Sequence, residues 1–299
     1  MSYRRRSRAS QAEPAAVDAG ADPAAEGAPA AGEAASSRPW PADLSAPGPW
    51  LVMLEGRAPW EALALVAVSP FFSRLPAGDG HPVLVFPGLG ASDTSTLALR
   101  RFLTQQGYSA YGWELGQNFG PRPGVLEGCH ARIADIHERH GEPVSLVGWS
   151  LGGIYAREIA KEMPQRIRCV ITLGTPFAGH PRATNAWRFY EWVSGQHAHD
   201  DRLLAEVRQP PPVPTTSIYS KTDGIVAWPC SINPPEHAHT ENIEVHASHI
   251  GMGLNPMALY AIADRLRQDP RRWQRFDVAG ARRWFFKVAH QPEAVTRWY

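Results

Sequence analysis

Cysteine is scarce in this chain: 299 residues hold only Cys129, Cys169 and Cys230. None forms a Cys-x-x-Cys pair and the count is odd, which argues against a disulfide framework and favours a reducing compartment. Cys169, inside an apolar run, reads as a small core side chain. An excess of one charge is also missing. Thirty basic residues face 29 acidic ones, for a formal net charge of +1, so neither nucleic acid nor a strongly acidic partner is expected. No apolar run reaches the ~18 residues of a membrane-crossing helix; the longest, 62–72, is broken by Pro70. The opening M-S-Y-R-R-R-S-R lacks the apolar stretch of a secretory signal, and Glu13, Asp18, Asp22 and Glu26 oppose a transit peptide. The expected location is cytoplasmic. Metal-ligand spacing is absent as well. His137 and His140 share a helix face near Cys129 and His130, but no further ligands converge, so these are surface histidines and no metal or other cofactor is expected.

What remains is the composition of one large α/β domain, with 43% hydrophobic residues, flanked by extensions. Residues 1–45 are rich in Ala, Pro, Gly, Ser and acids, and read as a disordered tail. Residues 50–75 are greasy and helical in pattern, with Trp50, Leu51, Leu54, Trp60, Leu63, Phe71 and Phe72. The first reading is that they pack against the sheet; the second is that they lie at a membrane surface or over the active-site entrance. Residues 46–268 carry the α/β pattern, with an insertion at about 178–214, and 269–299 form a basic, aromatic extension including Trp273, Trp284, Phe285, Phe286 and Trp298. Docking of that extension on the core competes with attachment to an anionic membrane or a partner.

The centre of the pattern is V-S-L-V-G-W-S-L-G-G at 144–153, a strand running into Gly148-Trp149-Ser150-Leu151-Gly152 and then a helix at 154–163. Strand, G-x-S-x-G, helix is the setting of a nucleophile elbow, with Ser150 as nucleophile and the glycines relieving a sharp turn. Upstream, a strand at 81–86 enters Pro87-Gly88-Leu89-Gly90, where a backbone amide, that of Leu89, can face a substrate oxygen; the Leu151 amide is the second donor. Helices are expected at 92–106, 124–140 and 255–267, and strands at 108–113, 168–173, 215–219 and 241–245. Asn118 sits in a Gly/Asn/Pro loop that forms a pocket wall, closing a turn or touching substrate. Amphipathic pieces at 184–193 and 201–207 suggest a lid. Its aromatics, Trp187 among them, serve as a lipophilic roof or as core, and Trp149 is a further substrate-side candidate. Asp223, just past a strand and before Gly224, suits the acid of a Ser–His–Asp system. His246 and His249 compete for the base. His246 continues the strand alternation into the packing, whereas His249 lies on the following loop and is preferred.

P-G-L-G at 87–90, G-W-S-L-G-G at 148–153, T-L-G-T-P-F at 172–177, Y-S-K-T-D-G-I-V at 219–226 and S-H-I-G at 248–251 together resemble the α/β-hydrolase superfamily, in particular its bacterial lipase- and esterase-like members. The resemblance spans roughly 80–268. It implies a doubly wound, mostly parallel sheet with helices on both faces and a small helical lid. It also implies a catalytic Ser150, Asp223 and His249 that cleave carboxylic esters, with lipophilic acyl chains suggested by the aromatic insertion. The leading antiparallel strands of larger members are not evident before His81, so a trimmed sheet is expected. An acyltransferase with the same triad, a serine peptidase or amidase on this fold and a non-catalytic scaffold are the alternatives, and oligomeric state is left open.

Overall fold

The computed structural model describes residues 44–75, 77–194, 201–234 and 237–289. Nearly all of the expected tail at 1–45 lies outside these, as do 195–200 of the insertion and Trp298. The chain order is α1 (Pro49–Leu54), α2 (Ala58–Val68), β1 (Pro82–Phe86), α3 (Leu97–Gln105), β2 (Ser109–Gly112), α4 (Val125–His140), β3 (Val144–Trp149) and α5 (Leu151–Glu162). Then follow β4 (Ile167–Leu173), α6 (Trp187–Ser194), α7 (Asp201–Arg208), β5 (Thr215–Tyr219), β6 (Thr240–Glu244), α8 (Pro256–Leu266) and β7 (Lys287–Val288).

The seven strands form one sheet in the order β2-β1-β3-β4-β5-β6-β7. All neighbours pair in parallel except β6 and β7, which are antiparallel. Strands of such a sheet are covered on both faces, so they read as unbroken apolar runs. β1 shows how. Val83 and Val85 join the cluster beneath α3 and α8, with Leu99, Phe102, Leu103, Leu259 and Ile262. Leu84 and Phe86 join the opposite cluster beneath α4 and α5, with Ile133, Ile136, Tyr155 and Ile159. The chain winds from β1 to β2 on one side and then to β3 on the other. The winding direction therefore reverses at β1, and a crevice opens above the carboxyl ends of β1 and β3.

Local chemistry sets several boundaries. Gly124 and Gly141 bracket α4 with φ of 86° and 68°, a conformation that a side chain disfavours. Asn255 caps α8 by accepting from the Met257 and Ala258 amides. β7 was not expected from the sequence. It is two residues long and depends on pairing with β6, a contact that no local pattern announces. The described part of the C-terminal extension docks on the core through buried Phe276 and Phe286. Its anchor is Glu241, which accepts the Phe276 amide at 2.6 Å and pairs with Arg265 at 3.0 Å.

The N-terminal segment departs from expectation. It is helical, but only Leu65, Phe72 and Leu75 of its apolar residues reach the core cluster, and Trp50, Trp60, Leu63 and Phe71 face outward. Arg157 on α5 is fully buried, and among the described residues no carboxylate lies within ion-pair distance of it. Its guanidinium donates to Asn233 Oδ1 at 2.7 Å and to the carbonyls of Arg208 and Gln209 at 3.2 Å, and lies 3.7 Å over the Phe177 ring. Burial pulls its pKa down to about 9, and these contacts fasten the end of the insertion to α5. The histidines of α4 have partners outside any metal cluster: His137 bonds the Glu142 carbonyl and His140 the Tyr111 hydroxyl, while His130 lies 2.7 Å from a Glu162 oxygen without hydrogen-bond geometry. Among the described residues no His/Cys/Asp/Glu group could hold a metal.

Candidate active site

Ser150 stands between β3 and α5 with φ 53° and ψ −123°, a backbone conformation that is costly for any residue with a side chain. Its surroundings hold it there. The Ser150 amide donates to the Leu173 carbonyl at 2.8 Å, and its own carbonyl accepts from Gly153 at 3.0 Å. Two glycines are sterically required. A Cβ on Gly148 would sit 2.3 Å from the Gly153 Cα, and one on Gly152 would sit 2.5 Å from the Phe86 carbonyl oxygen. The turn is thus pressed against its own helix on one side and against β1 on the other.

The acid and base loops converge on the serine. His249 Nε2 lies 3.0 Å from Ser150 Oγ, and His249 Nδ1 lies 2.7 Å from Asp223 Oδ2. A carboxylate only accepts, so Nδ1 carries the proton in the neutral ring and Nε2 is left to accept from the hydroxyl. Asp223 is 3% exposed, and its other oxygen accepts the Ile225 and Val226 amides, both at 2.8 Å. Burial by itself disfavours the imidazolium of His249. The charge and hydrogen bond of Asp223, with the charge of Glu55, outweigh it and hold the pKa above the ordinary imidazole value. Gly174, at φ 53°, lies beneath the pair. A Cβ there would be 3.0 Å from His249 Nδ1 and 3.1 Å from Asp223 Oδ2.

The loop after β1 reaches the same point, since a Cβ on Gly88 would be 3.3 Å from the Ser150 Cβ. Its Gly90 amide is committed to the Asn118 carbonyl at 2.7 Å and its Ala91 amide to the Gly88 carbonyl at 3.2 Å, whereas the Leu89 amide has no such turn or loop bond. Leu151 opens α5, where an amide has no partner within its own helix. Asn118 is fully buried. Its Nδ2 donates to the Pro87 carbonyl at 2.8 Å and its Oδ1 accepts the Gly120 amide at 3.2 Å. Asn118 therefore closes the turn and clamps the loop, the first of its two expected roles, and these bonds engage both its amide atoms rather than a substrate. Asp93 adds a second clamp by accepting the Trp113 and Glu114 amides, both at 3.0 Å.

Two other expectations change. Trp149 donates through Nε1 to the His249 carbonyl at 3.0 Å, and its ring abuts Gly253, so it braces the base loop. His246 is exposed rather than packed into the sheet. In the insertion, Trp187 is half-buried and stacks with Arg182 and Arg188. The side chain over the loop after β1 is Phe189, whose ring would be 3.1 Å from a Cβ on Gly90. The base of the insertion is stitched to the acid loop by the Thr184–Val226 bridge and by Asn185, which donates to the Gly224 carbonyl at 2.8 Å.

The residues missed entirely come from the N-terminal helices. Glu55, 6% exposed, accepts the Gly224 amide at 2.7 Å and the His249 amide at 2.9 Å through Oε1, and the Ile250 amide at 2.9 Å through Oε2. One carboxylate thus bridges the acid loop and the base loop. Glu61 does the same for Ser248, accepting its amide at 2.7 Å and its hydroxyl at 2.8 Å. Arg57 pairs with Glu61 at 3.3 Å and donates to the Thr222 hydroxyl at 2.7 Å. A usable signal was present: these are the only two carboxylates in 44–75, set in an otherwise apolar stretch.

No family model matches the chain, and no curated protein matches it by sequence. Solved structures do. Lipase B of Aspergillus fumigatus superposes with a TM-score of 0.52 at 19% identity, over 64% of this chain and 53% of that one, so the chain spans about half the length of that lipase. A pyrethroid hydrolase aligns with a TM-score of 0.42 at 17% identity, over 62% of this chain and 96% of that one. The thioesterase domain from the curacin biosynthetic pathway aligns with a TM-score of 0.44 at 15% identity, over 65% and 93%. The chain has the α/β-hydrolase fold. No described helix is long and apolar enough to cross a membrane.

Proposed function

We propose that this protein is a serine hydrolase that cleaves carboxylic esters with lipophilic acyl parts through an acyl-enzyme, and that it works in the cytoplasm. The observation that carries the reading is the unbroken relay of Ser150, His249 and Asp223 at 3.0 and 2.7 Å, on a serine held at φ 53°. His249 Nε2 takes the Ser150 proton as Oγ attacks the ester carbonyl. The Leu89 and Leu151 amides stabilise the oxyanion. The tetrahedral species collapses, the leaving alkoxide takes the proton from His249, and the acyl group stays on Ser150. Water, deprotonated by the same nitrogen, then attacks the acyl-enzyme and releases the acid and the free serine. Asp223 holds the ring in this tautomer and stabilises its cation. Phe189 over the loop after β1, on the amphipathic helix Trp187–Ser194, supports an apolar acyl part. The unpaired, buried state of all three cysteines supports a reducing compartment.

Hydrolysis of p-nitrophenyl esters, from acetate to long acyl chains, tests this. The wild type is expected to turn them over with a preference for longer chains. Ser150→Ala should lose a factor of about 10⁴ or more in kcat, together with labelling by a fluorophosphonate. Wild-type turnover by Ser150→Ala would overturn the mechanism.

A further inference from the structure

The α1–α2 strap is built inside out. A surface helix normally turns charge outward and apolar side chains inward. Here Glu55 and Glu61 point into the protein, while Trp50 (69% exposed), Met53, Trp60 (71%), Leu63, Val66 and Phe71 face away from it. The outward surface continues past the strap. Trp60, Ala64, Met257 and Phe285 line one groove of about 570 Å³, which places the aromatic step Trp284-Phe285 beside α2, with Trp284 74% exposed. At its other end it reaches Ile250, exposed next to His249 and tied to Glu55 through its amide. These six exposed large apolar side chains on one short stretch, beside exposed Ile250, Trp284 and Phe285, are more than scattered surface residues and mark a binding face.

The charges around the patch decide what it binds. Both carboxylates of 44–75 are buried and Arg57 is paired with one of them, which leaves Arg74 as the exposed charge of that stretch; residues 278–289 hold Arg282, Arg283 and Lys287, of which Arg282 faces Asp264 at 3.8 Å and Lys287 faces Glu244 at 3.9 Å. Two of these cations lie within the patch itself: Arg74 is 5.0 Å over the Phe71 ring and Arg283 is 5.3 Å over the Trp284 ring. Two copies of such a face would oppose like charges. The chain before residue 44 offers few large apolar side chains beyond Trp40 to cover it. Tryptophan with interspersed arginine matches the boundary between anionic headgroups and acyl chains.

We infer that the outward face of the strap, together with Trp284 and Phe285, docks this protein onto an anionic lipid bilayer, beside the base loop of the candidate active site. The inference does not depend on the proposed catalysis. It is tested by sedimentation of the full chain with sucrose-loaded vesicles of phosphatidylcholine containing phosphatidylglycerol, against phosphatidylcholine alone. The chain should co-sediment with the anionic vesicles, less with the neutral ones, and less as salt rises. Leu63→Ser with Val66→Ser should weaken binding by about tenfold or more, with hydrolysis of a short soluble ester unchanged. Ser150→Ala should bind as the wild type does, which separates docking from turnover. If the serine pair fails to fold, Arg74→Glu with Arg283→Glu, both on exposed side chains, should lower binding to anionic vesicles. A wild-type chain that stays in the supernatant would overturn the inference. So would variants that bind like the wild type, or a homodimer in sedimentation velocity that the serine pair splits without any vesicle binding.

Discussion

The nucleophile elbow and the N-terminal strap serve the same three side chains by opposite means. The elbow works by exclusion. Backbone approaches so closely that a Cβ at 148 or 152 would sit within 2.5 Å of another main-chain atom, so residue identity there follows from local geometry. The strap works by donor counting. Glu55 and Glu61 accept amides of loops that lie far ahead in sequence, with separations of 169 to 195 residues. Exclusion leaves a short, readable pattern; long-range polar bracing leaves two ordinary glutamates. The elbow region should therefore carry the large effects on activity and folding, and the strap the graded ones.

The largest effect belongs to the relay. Asp223→Asn keeps the shape but presents an amide to His249 Nδ1, which favours the wrong tautomer. A fall of about 10⁴ in kcat, with KM little changed, is expected in steady-state kinetics on a soluble ester. A loss below tenfold would mean that the 2.7 Å contact does not matter to the reaction. Gly148→Ala should come next and show in folding rather than rate. The neighbouring Gly153 Cα, at 2.3 Å from the added Cβ, is main chain and cannot swing away. A destabilisation of about 3 kcal/mol or more is expected, read as a lowered Tm or a failure to accumulate. A fully stable Gly148→Ala would break the contrast at its steric end.

The same contrast explains how much was legible. The strand–helix alternation, the elbow, and the loops carrying Leu89, Asp223 and His249 stand out because parallel strands buried on both faces write themselves as apolar runs, and sharp turns write themselves as glycine. The boundaries shift by a few residues, as where 93–96 form turns and the helix begins at Leu97. Three things were not legible, each for the same physical reason. Two-residue β7 has no pattern of its own, Asn118 looks the same whether it clamps a loop or touches substrate, and Trp149 reveals its partner, the His249 carbonyl, only after 100 residues have folded back. The strap reverses the usual rule outright, because an apolar helix reads as a buried one until its carboxylates are seen to occupy the inner face.

Asn118 lies between the two extremes, since it is locally unreadable yet sits beside the elbow. Asn118→Ala leaves the Pro87 carbonyl and the Gly120 amide unpaired in a buried setting. Each unmet group costs about 1–3 kcal/mol, and the loop bearing the Leu89 amide loosens. A drop of about 10- to 100-fold in kcat is expected, larger than any change in KM, because the oxyanion contact acts in the transition state. A change confined to KM would return Asn118 to the substrate side.

Glu55→Gln asks whether the strap tunes the base electrostatically or only holds its loop. The ring must be neutral to take the Ser150 proton, so kcat/KM rises with pH through the folded-state pKa of His249. That value lies above the ordinary imidazole one, held there against burial by Asp223 and by Glu55, so the acid limb should fall above about 6.5. The amide side chain keeps an oxygen for the Gly224 and His249 amides but removes the negative charge and turns a donor toward the Ile250 amide. A cation loses a favourable neighbour, so the pKa falls and the acid limb moves to lower pH. The plateau rate should drop by no more than about tenfold, the cost of one mispaired amide. Glu55→Ala, which leaves all three amides unpaired, should lower the plateau further and shift the limb in the same direction. A plateau that falls in both variants while the limb stays fixed would reduce Glu55 to a brace. A limb that moves with the charge, measured as kcat/KM against pH on a soluble ester, would make the strap part of what sets the base.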